Sequence, residues 1–431
     1  MRALHTVEIE RLNARGDGIA HLDGRRITVP GTLPGERVRT YSALDSRGRT
    51  VWGLEDVEVA SPNRVDPACA QFDRCAGCPL RHTGEGVEAD FAAERATYAV
   101  RRRLNLEVPV TASHRPVPRA GFRARLSAGL YPAHDGALVP GMRGRAETEP
   151  VDLRHCPAQS EASRAALETL MHDLESAGLA DAVARISVAT GDDERVRIVL
   201  GASSTEAAAR LLGSALAERS GRAVAVTTRL NGPGFEAEAV ALHGDLRLPF
   251  TVDGDRFDAS LTSWSPQTPG SLACVQSVVA RLLACEPASR VLELGCGVGT
   301  LSVHLARTSA SLVGVDLVRG AVDDAARNAA ALGVENATFR QGRADQAVRR
   351  LLARGDRFDR LVLHGMRRPF GLDLMNVLPA LRVARVVYVA PSAISMVRDL
   401  EVLRGYGLAH LEQIAQLPGT AHTLTVGLLL P

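Results

Sequence analysis

Between residues 5 and 60, apolar and polar positions alternate in short runs, HTVEIERL, GIAHL, RRITVP, ERVRTY and RTVWGLEDVEV, separated by Gly-Asp-Gly, Asp-Gly and Pro-Gly turn signals. Alternation with period two predicts strands with one buried face. Five of them in so short a segment predict a small barrel, of the oligonucleotide-binding type or of another kind. The period then lengthens. GVEADFAAERATYAVRRRL places Val87, Phe91 and Tyr98 at helical spacing, with Arg95 interrupting the same face. Strand-like ARLSAGLY and GALVPGM follow, then a helix from about Ser160 to Ser176, strands ARISVAT and RVRIVLG, and a helix in TEAAARLLGSALAERS. From about Phe250 onward, helical stretches alternate with continuous apolar runs such as VLEL, SLVGV, DRLVLHG and RVVYVA, the signature of a sheet buried on both faces. HLEQIAQL and HTLTVGLLL close the chain as a strand pair. The pattern predicts a multidomain α/β protein: a β-barrel over 1–62, an α+β middle domain over 63–250, and a doubly wound sheet over 251–431.

The C-terminal third is organised around Val291 to Asp316, VLELGCGVGTLSVHLARTSASLVGVD. Strand, glycine turn, helix, and a second strand ending in an acid is the layout of a nucleotide-binding unit. The glycines let a ligand approach the backbone, and the acid accepts hydrogen bonds from ribose hydroxyls. The dinucleotide fingerprint G-x-G-x-x-G is absent. The pattern is E-L-G-x-G-x-G, which resembles motif I of class I methyltransferases that use S-adenosylmethionine (SAM). The alternative is a glycine-rich turn without a ligand.

Composition narrows the class. A chain of 431 residues with 45% hydrophobic residues buries several ordinary cores. A net charge of +2 is too small to argue for nucleic acid by itself, and all 51 basic residues are arginine. Seven cysteines, no secretory signal and no apolar run of membrane-spanning length predict a cytoplasmic protein with reduced thiols. Three of those thiols form Cys69-x5-Cys75-x2-Cys78, and Cys156 is available as a fourth ligand. Four thiolates suit an iron–sulfur cluster or zinc, and the spacing does not choose between them. Joining points so far apart in the chain implies a structural staple. Cys274 and Cys285 fall in a helical stretch and read as small core residues.

The barrel stretch resembles a TRAM domain, an RNA-binding barrel appended to RNA-modifying enzymes, in ARGDGIAHLDGR and VPGTLPGERV. Together with the cysteine pattern and the SAM-like unit, this resembles the RNA uracil-C5 methyltransferases along nearly the whole chain. Gly121-Phe122-Arg123 and PVDLRHCP match the family's middle domain, and VVYVAPSAISMVRDL, with Arg398 and Asp399, matches its nucleophile segment. The resemblance implies SAM as cofactor, contacted by Gln267, Gly295, Gly297, Gly299, Thr300 and Asp316. It implies a 4Fe-4S cluster, with zinc as the alternative, on Cys69, Cys75, Cys78 and Cys156. It implies tRNA or ribosomal RNA as substrate, and neither DNA nor a membrane as partner.

The departures fall where the chemistry should be. Methylation at uracil C5 needs a thiolate to add at C6 and a base to remove the C5 proton. The family's serine-cysteine-asparagine-proline turn reads Ala390-Pro391-Ser392-Ala393 here, putting proline at the nucleophile position. Its glutamate base falls at Leu424 of His422-Thr423-Leu424-Thr425. Its aspartate-proline-proline-arginine motif reads His364-Gly365-Met366-Arg367, keeping only the arginine. Pro269 replaces a cofactor-loop asparagine, and Arg343 stands where a second cofactor acid is expected, with Asp345 displaced by two. Two functions follow. One is a SAM-dependent RNA methyltransferase with altered chemistry, His364 being the first base to consider. The other is a non-catalytic RNA-binding relative, although 4% aromatic residues argue against an extensive stacking platform.

Overall fold

Six strands form from the alternating N-terminal segment, one more than its pattern predicts, because the first run divides. Leu4–Glu8 pairs with Arg37–Leu44 in one three-stranded sheet, and Arg11–Leu12 pairs with Gly18–Leu22 in another. The bend between them keeps its backbone satisfied. Ile9 N–H donates to Glu36 O and Glu10 N–H to Ile19 O, each at 2.9 Å. Both sheets close on one core of Val7, Ile9, Ala20, Ile27, Val29 and Val38. Buried Glu36 ties this unit to the chain that follows, accepting from Leu33 N–H, Ser61 N–H and the Arg64 guanidinium. The computed structural model describes residues 3–431 except 46–47, 114–116, 134–135, 146–149, 217, 219–221, 229–238, 261–262, 264 and 366–368.

A seven-stranded sheet follows, in the order Pro150–Asp152, Leu138–Arg143, Arg125–Pro132, Val183–Thr190, Val196–Ala202, Ala223–Thr227, Val240–His243. Helices Glu161–Ser176 and Thr205–Leu212 cover it, each begun by a serine whose side chain accepts a backbone N–H of the first turn, Ser160 and Ser204. Leu167, Leu170, Leu174, Ile186, Ile198 and Leu200 fill the space between, each contributing about 1.5–3 kcal/mol of burial.

The C-terminal sheet has eight strands: Ala337–Gln341, Ser311–Asp316, Arg290–Leu294, Arg360–His364, Arg385–Ala390, Thr423–Leu430, Gly407–Ala415 and Val110–Ser113. The first five run parallel, and Thr423–Leu430 is antiparallel between its two neighbours. The edge strand Val110–Ser113 comes from far upstream, and helix Val87–Leu104 buries Ala96 and Val100 in the core of the same sheet. Residues 87–113, inside the segment expected to form the middle domain, thus complete the C-terminal layers. Four residues reading VTAS carry too little pattern to announce an edge strand. Among the described residues, no helix is long and apolar enough to cross a membrane.

Candidate cofactor and substrate site

Strand Arg290–Leu294 lies between Ser311–Asp316, which follows it, and Arg360–His364, which comes later. Strand order reverses there, so the carboxyl ends of these strands open onto a crevice. Gly295 turns the chain with φ +92°, and a Cβ on it would stand 2.2 Å from the carbonyl oxygen of His364. Gly297 also has positive φ, but a Cβ there would meet nothing within 4 Å, so a ligand has direct access to its backbone. Gly299 precedes helix Thr300–Ala306, whose first residue is buried. Asp316 fixes the loop from the next strand: Oδ2 accepts from Gly297 N–H and Oδ1 from Val318 N–H, both at 2.9 Å. Beside it, Leu317 (64% exposed) and Val318 (43%) offer an apolar surface to a flat ring. Asn328 clamps the loop from behind, donating to Val298 O at 2.9 Å.

Across the crevice, Gln267 O accepts from Ala124 N–H at 2.9 Å, joining this loop to the middle sheet. Pro269 occupies the first turn of helix Pro269–Leu283, where a missing N–H costs no hydrogen bond. Ser265 Oγ and Thr268 Oγ1 are buried without a hydrogen-bond partner. His364 is buried with Nδ1 3.2 Å from Glu293 Oε1, and Glu293 also accepts from the Ser302 hydroxyl. The Nε2 of His364 is buried and unpartnered. Arg343 turns to Asp345 at 3.1 Å and Asp373 at 3.3 Å. Arg367 lies outside the described residues.

The positions that the resemblance assigns to a nucleophile and a base, Pro391 and Leu424, carry structural roles here. Pro391 ends strand Arg385–Ala390, and Ser392 caps helix Ala393–Leu400 by accepting from Ser395 N–H at 3.2 Å. A hydroxyl used as a cap is not an activated nucleophile. Leu424, 3% exposed, packs in the apolar core with Val298 and Leu301. Asp399, near the exposed Arg398, accepts from Tyr388 OH at 2.6 Å and from the N–H groups of Phe370 and Gly371. Burial pushes the Cys296 thiol well up, with Glu293 and Asp316 adding to the effect, so it stays protonated.

Pro391 and Ser392 belong to the wall of a cleft of about 790 Å3, with Gln413, His422 and Thr423 beside them. Arg11 and Arg26 from the N-terminal sheets and Arg95, Arg102 and Arg103 from helix Val87–Leu104 line its other walls. Tyr98, half exposed, has the Arg11 guanidinium 5.3 Å from its ring centre and accepts from Arg102 at 2.8 Å. Those contacts, Arg102 first, hold its phenol below the usual range. Arg95 has a buried Nη1 without a partner. Arg103 is committed to Glu401 at 2.8 Å. Burial, then Arg123, holds the pKa of His422 down. Arg95, which interrupts the helix's apolar stripe, therefore lines this cleft. Sequence reasoning missed Tyr98, Arg11 and Arg26 as site residues. The spacing of Arg95, Tyr98 and Arg102 was the available signal.

His422 and Ala421 also bound a second cavity of about 360 Å3, closed by Ala76, Gly77 and Pro79 of the cysteine loop and by Arg145. Burial raises the pKa values of Cys75 and Cys78. Cys156 acts electrostatically on both, and Cys69 on Cys75, so the four thiols share one neighbourhood. Among the described residues, no three Cys, His, Asp or Glu side chains are gathered as one metal ion would require. Cationic donors surround the thiols: Arg123 and Arg81 act on Cys78, and Arg145 on Cys75. Each of these arginines has a buried N–H without a partner. Polarity and charge there suit an anionic group.

A family model described as a methyltransferase domain matches residues 286–382. An uncharacterized RNA methyltransferase of Listeria monocytogenes is 25% identical over 98% of this chain and 96% of its own. A 23S rRNA (uracil(1939)-C(5))-methyltransferase of Alkalilimnicola ehrlichii is 29% identical over 96% and 94%. The crystal structure of the Pyrococcus abyssi tRNA (uracil-54, C5)-methyltransferase in complex with S-adenosyl-L-homocysteine matches the fold at a TM-score of 0.72, with 20% identity and full coverage of both chains. Homologues of this chain along its whole length are RNA methyltransferases, uracil-C5 methyltransferases among them.

Proposed function

We propose that this protein is a SAM-dependent RNA methyltransferase that has left the covalent route of its uracil-C5 relatives. The glycine loop and Asp316 hold the cofactor, and the arginine-lined cleft holds RNA. The observation that carries this reading is the cleft itself. Its walls supply guanidinium groups for phosphates and one exposed tyrosine for a base, while Pro391 stands where a thiol would have to be. A methyl acceptor that is already nucleophilic, a ring nitrogen or ribose hydroxyl, needs positioning and a base but no cysteine adduct. His422, on the cleft wall and held below the usual imidazole range, suits that role better than His364, which is tied to Glu293 outside the cleft lining. Cys69, Cys75, Cys78 and Cys156 hold an iron–sulfur cluster in this reading, and their loop walls the second cavity beside His422.

A second reading, a non-catalytic RNA-binding protein, is favoured by the two expected catalytic positions: Pro391 has no nucleophile, its neighbour Ser392 is spent as a helix cap, and Leu424 is core. Methyl transfer from labelled SAM to unmodified bacterial RNA, followed by nucleoside identification, decides. Label in a nucleoside other than 5-methyluridine supports altered chemistry. RNA binding without label supports the second reading. Label in 5-methyluridine overturns both.

A further inference from the structure

We propose that Arg81, Arg123 and Arg145 form a cationic cradle whose unpartnered N–H donors hold an anionic iron–sulfur cluster on the four cysteines and raise its reduction potential. The inference rests on reading those thiols as cluster ligands. Arg81 is 4% exposed, and its one described side-chain hydrogen bond is a long one, 3.4 Å from Nη2 to Ala68 O. Its Nε and Nη1 are buried without an acceptor, as are Arg123 Nε and Arg145 Nη2. A buried guanidinium with idle donors is costly unless an acceptor meets it. Arg145 is aimed by its surroundings. Nε donates to Cys75 O at 3.0 Å, and the guanidinium lies 5.1 Å from the Phe72 ring centre. Asp17 and Asp73 act on it electrostatically, as do Cys75 and Cys78. Arg81 N–H donates to Cys78 O at 3.2 Å, and Arg123 N–H donates to Ala158 O at 2.8 Å, two residues beyond Cys156.

The cradle acts on a cluster and not on a single ion. Zinc draws four sulfurs to about 2.3 Å from one point, which brings the thiols nearly into contact. Among the described residues no three such ligands are gathered as one ion would require. A polynuclear cluster holds its cysteines farther apart, and its sulfides add hydrogen-bond acceptors between them. Hydrogen bonds and positive charge directed at those sulfurs stabilise the reduced, more negative state and so raise the potential.

The test uses the full-length protein, reconstituted without oxygen with ferrous iron and sulfide and, in parallel, with zinc. Iron, acid-labile sulfide, zinc and visible absorption are measured, and the potential is determined by redox titration. Wild type should take up iron and sulfide. Arg123→Met and Arg145→Met should keep the cluster and lower its potential by at least the equivalent of a tenfold change in the reduction equilibrium, about 59 mV for one electron. Where a methionine variant fails to fold, the neutral but polar glutamine variant carries the same expectation. An intact cluster with unchanged potential in both neutral variants overturns the cradle while leaving the cluster standing. Uptake of zinc with no iron or sulfide overturns the cluster reading, and the cradle with it.

Discussion

Replacing Asp316 by alanine tests the cofactor site most directly. Its carboxylate accepts one bond from Gly297 N–H and one from Val318 N–H, each at 2.9 Å, and stands where a ribose diol would donate to it. The substitution removes the ribose contact and releases Gly297, the glycine with open space before it. Hydrogen bonds to charged groups are worth about 1.5–3 kcal/mol each, so losing the ligand contact and the loop's anchor weakens binding by about 3–6 kcal/mol. At about 1.4 kcal/mol per tenfold, affinity for S-adenosylhomocysteine should fall by roughly 10² to 10⁴. Calorimetric titration of the full-length variant measures this, and a thermal melt verifies that the fold survives. Asp345→Ala is the control. Its carboxylate pairs with Arg343 at 3.1 Å, and its loss should leave affinity within about twofold. Parental affinity in Asp316→Ala, or the larger loss in Asp345→Ala, would refute the assignment of the cofactor acid.

Ser392→Ala should lower stability by about 1 kcal/mol in a denaturant melt, the ordinary cost of an N-cap, and leave cofactor affinity unchanged. Any methyl transfer abolished by that change would restore Ser392 as a chemical group. Pro391→Cys should yield no free 5-methyluridine, because Leu424 supplies no base to release the adduct, and should instead leave a protein–RNA species that survives a denaturing gel. Arg95→Ala should weaken RNA binding and make the slope of log affinity against log salt shallower by about one; an unchanged slope removes Arg95 from the interface. Burial lowers the His82 pKa from 6.5 to about 4, so the native state excludes a proton that the unfolded chain binds. Stability from this source is complete above pH 6.5 and declines as pH falls toward 4, by about 3 kcal/mol at most. Urea melts of wild type and His82→Phe should diverge in slope over that window and run parallel above it.

The glycine loop was legible because its chemistry is local: two apolar runs, a turn that needs positive φ, and a terminal acid all lie within one stretch, Val291 to Asp316. The cleft was not, because its walls come from Arg11 and Arg26, from Arg95 and Tyr98, and from Pro391 and His422, segments far apart in sequence that only the tertiary fold brings together. Arg95 illustrates the difficulty. On a helical wheel it is a flaw in an apolar stripe, and only the packed helix turns that flaw into a cationic group at a cleft wall. The division of the first strand at Ile9 shows in the sequence only as a shift of phase, Val7 and Ile9 being followed by Leu12 with Arg11 between, while the pairing partner changes from Arg37–Leu44 to Gly18–Leu22.

The substituted positions differ in kind from the retained ones. Pro269 serves helix initiation, Leu424 serves the core, Arg343 is paired with two acids, and the residue after Pro391 is a satisfied cap. Each of these four has been absorbed into ordinary structure, whereas His364, also a departure, keeps Nε2 buried without a partner. In the loop before helix Pro269–Leu283 and in the glycine loop the reverse holds: Ser265 Oγ and Thr268 Oγ1 are buried without partners, and Gly297 faces open space. Idle buried donors and acceptors cost about 1–3 kcal/mol each unless a ligand meets them. A protein that had lost its cofactor as well as its nucleophile would gain stability by filling those positions with apolar side chains. The crevice is thus polar at Ser265, Thr268 and Gly297 and apolar at Pro391 and Leu424, the combination that the proposed reading, a bound methyl donor with a changed acceptor, requires.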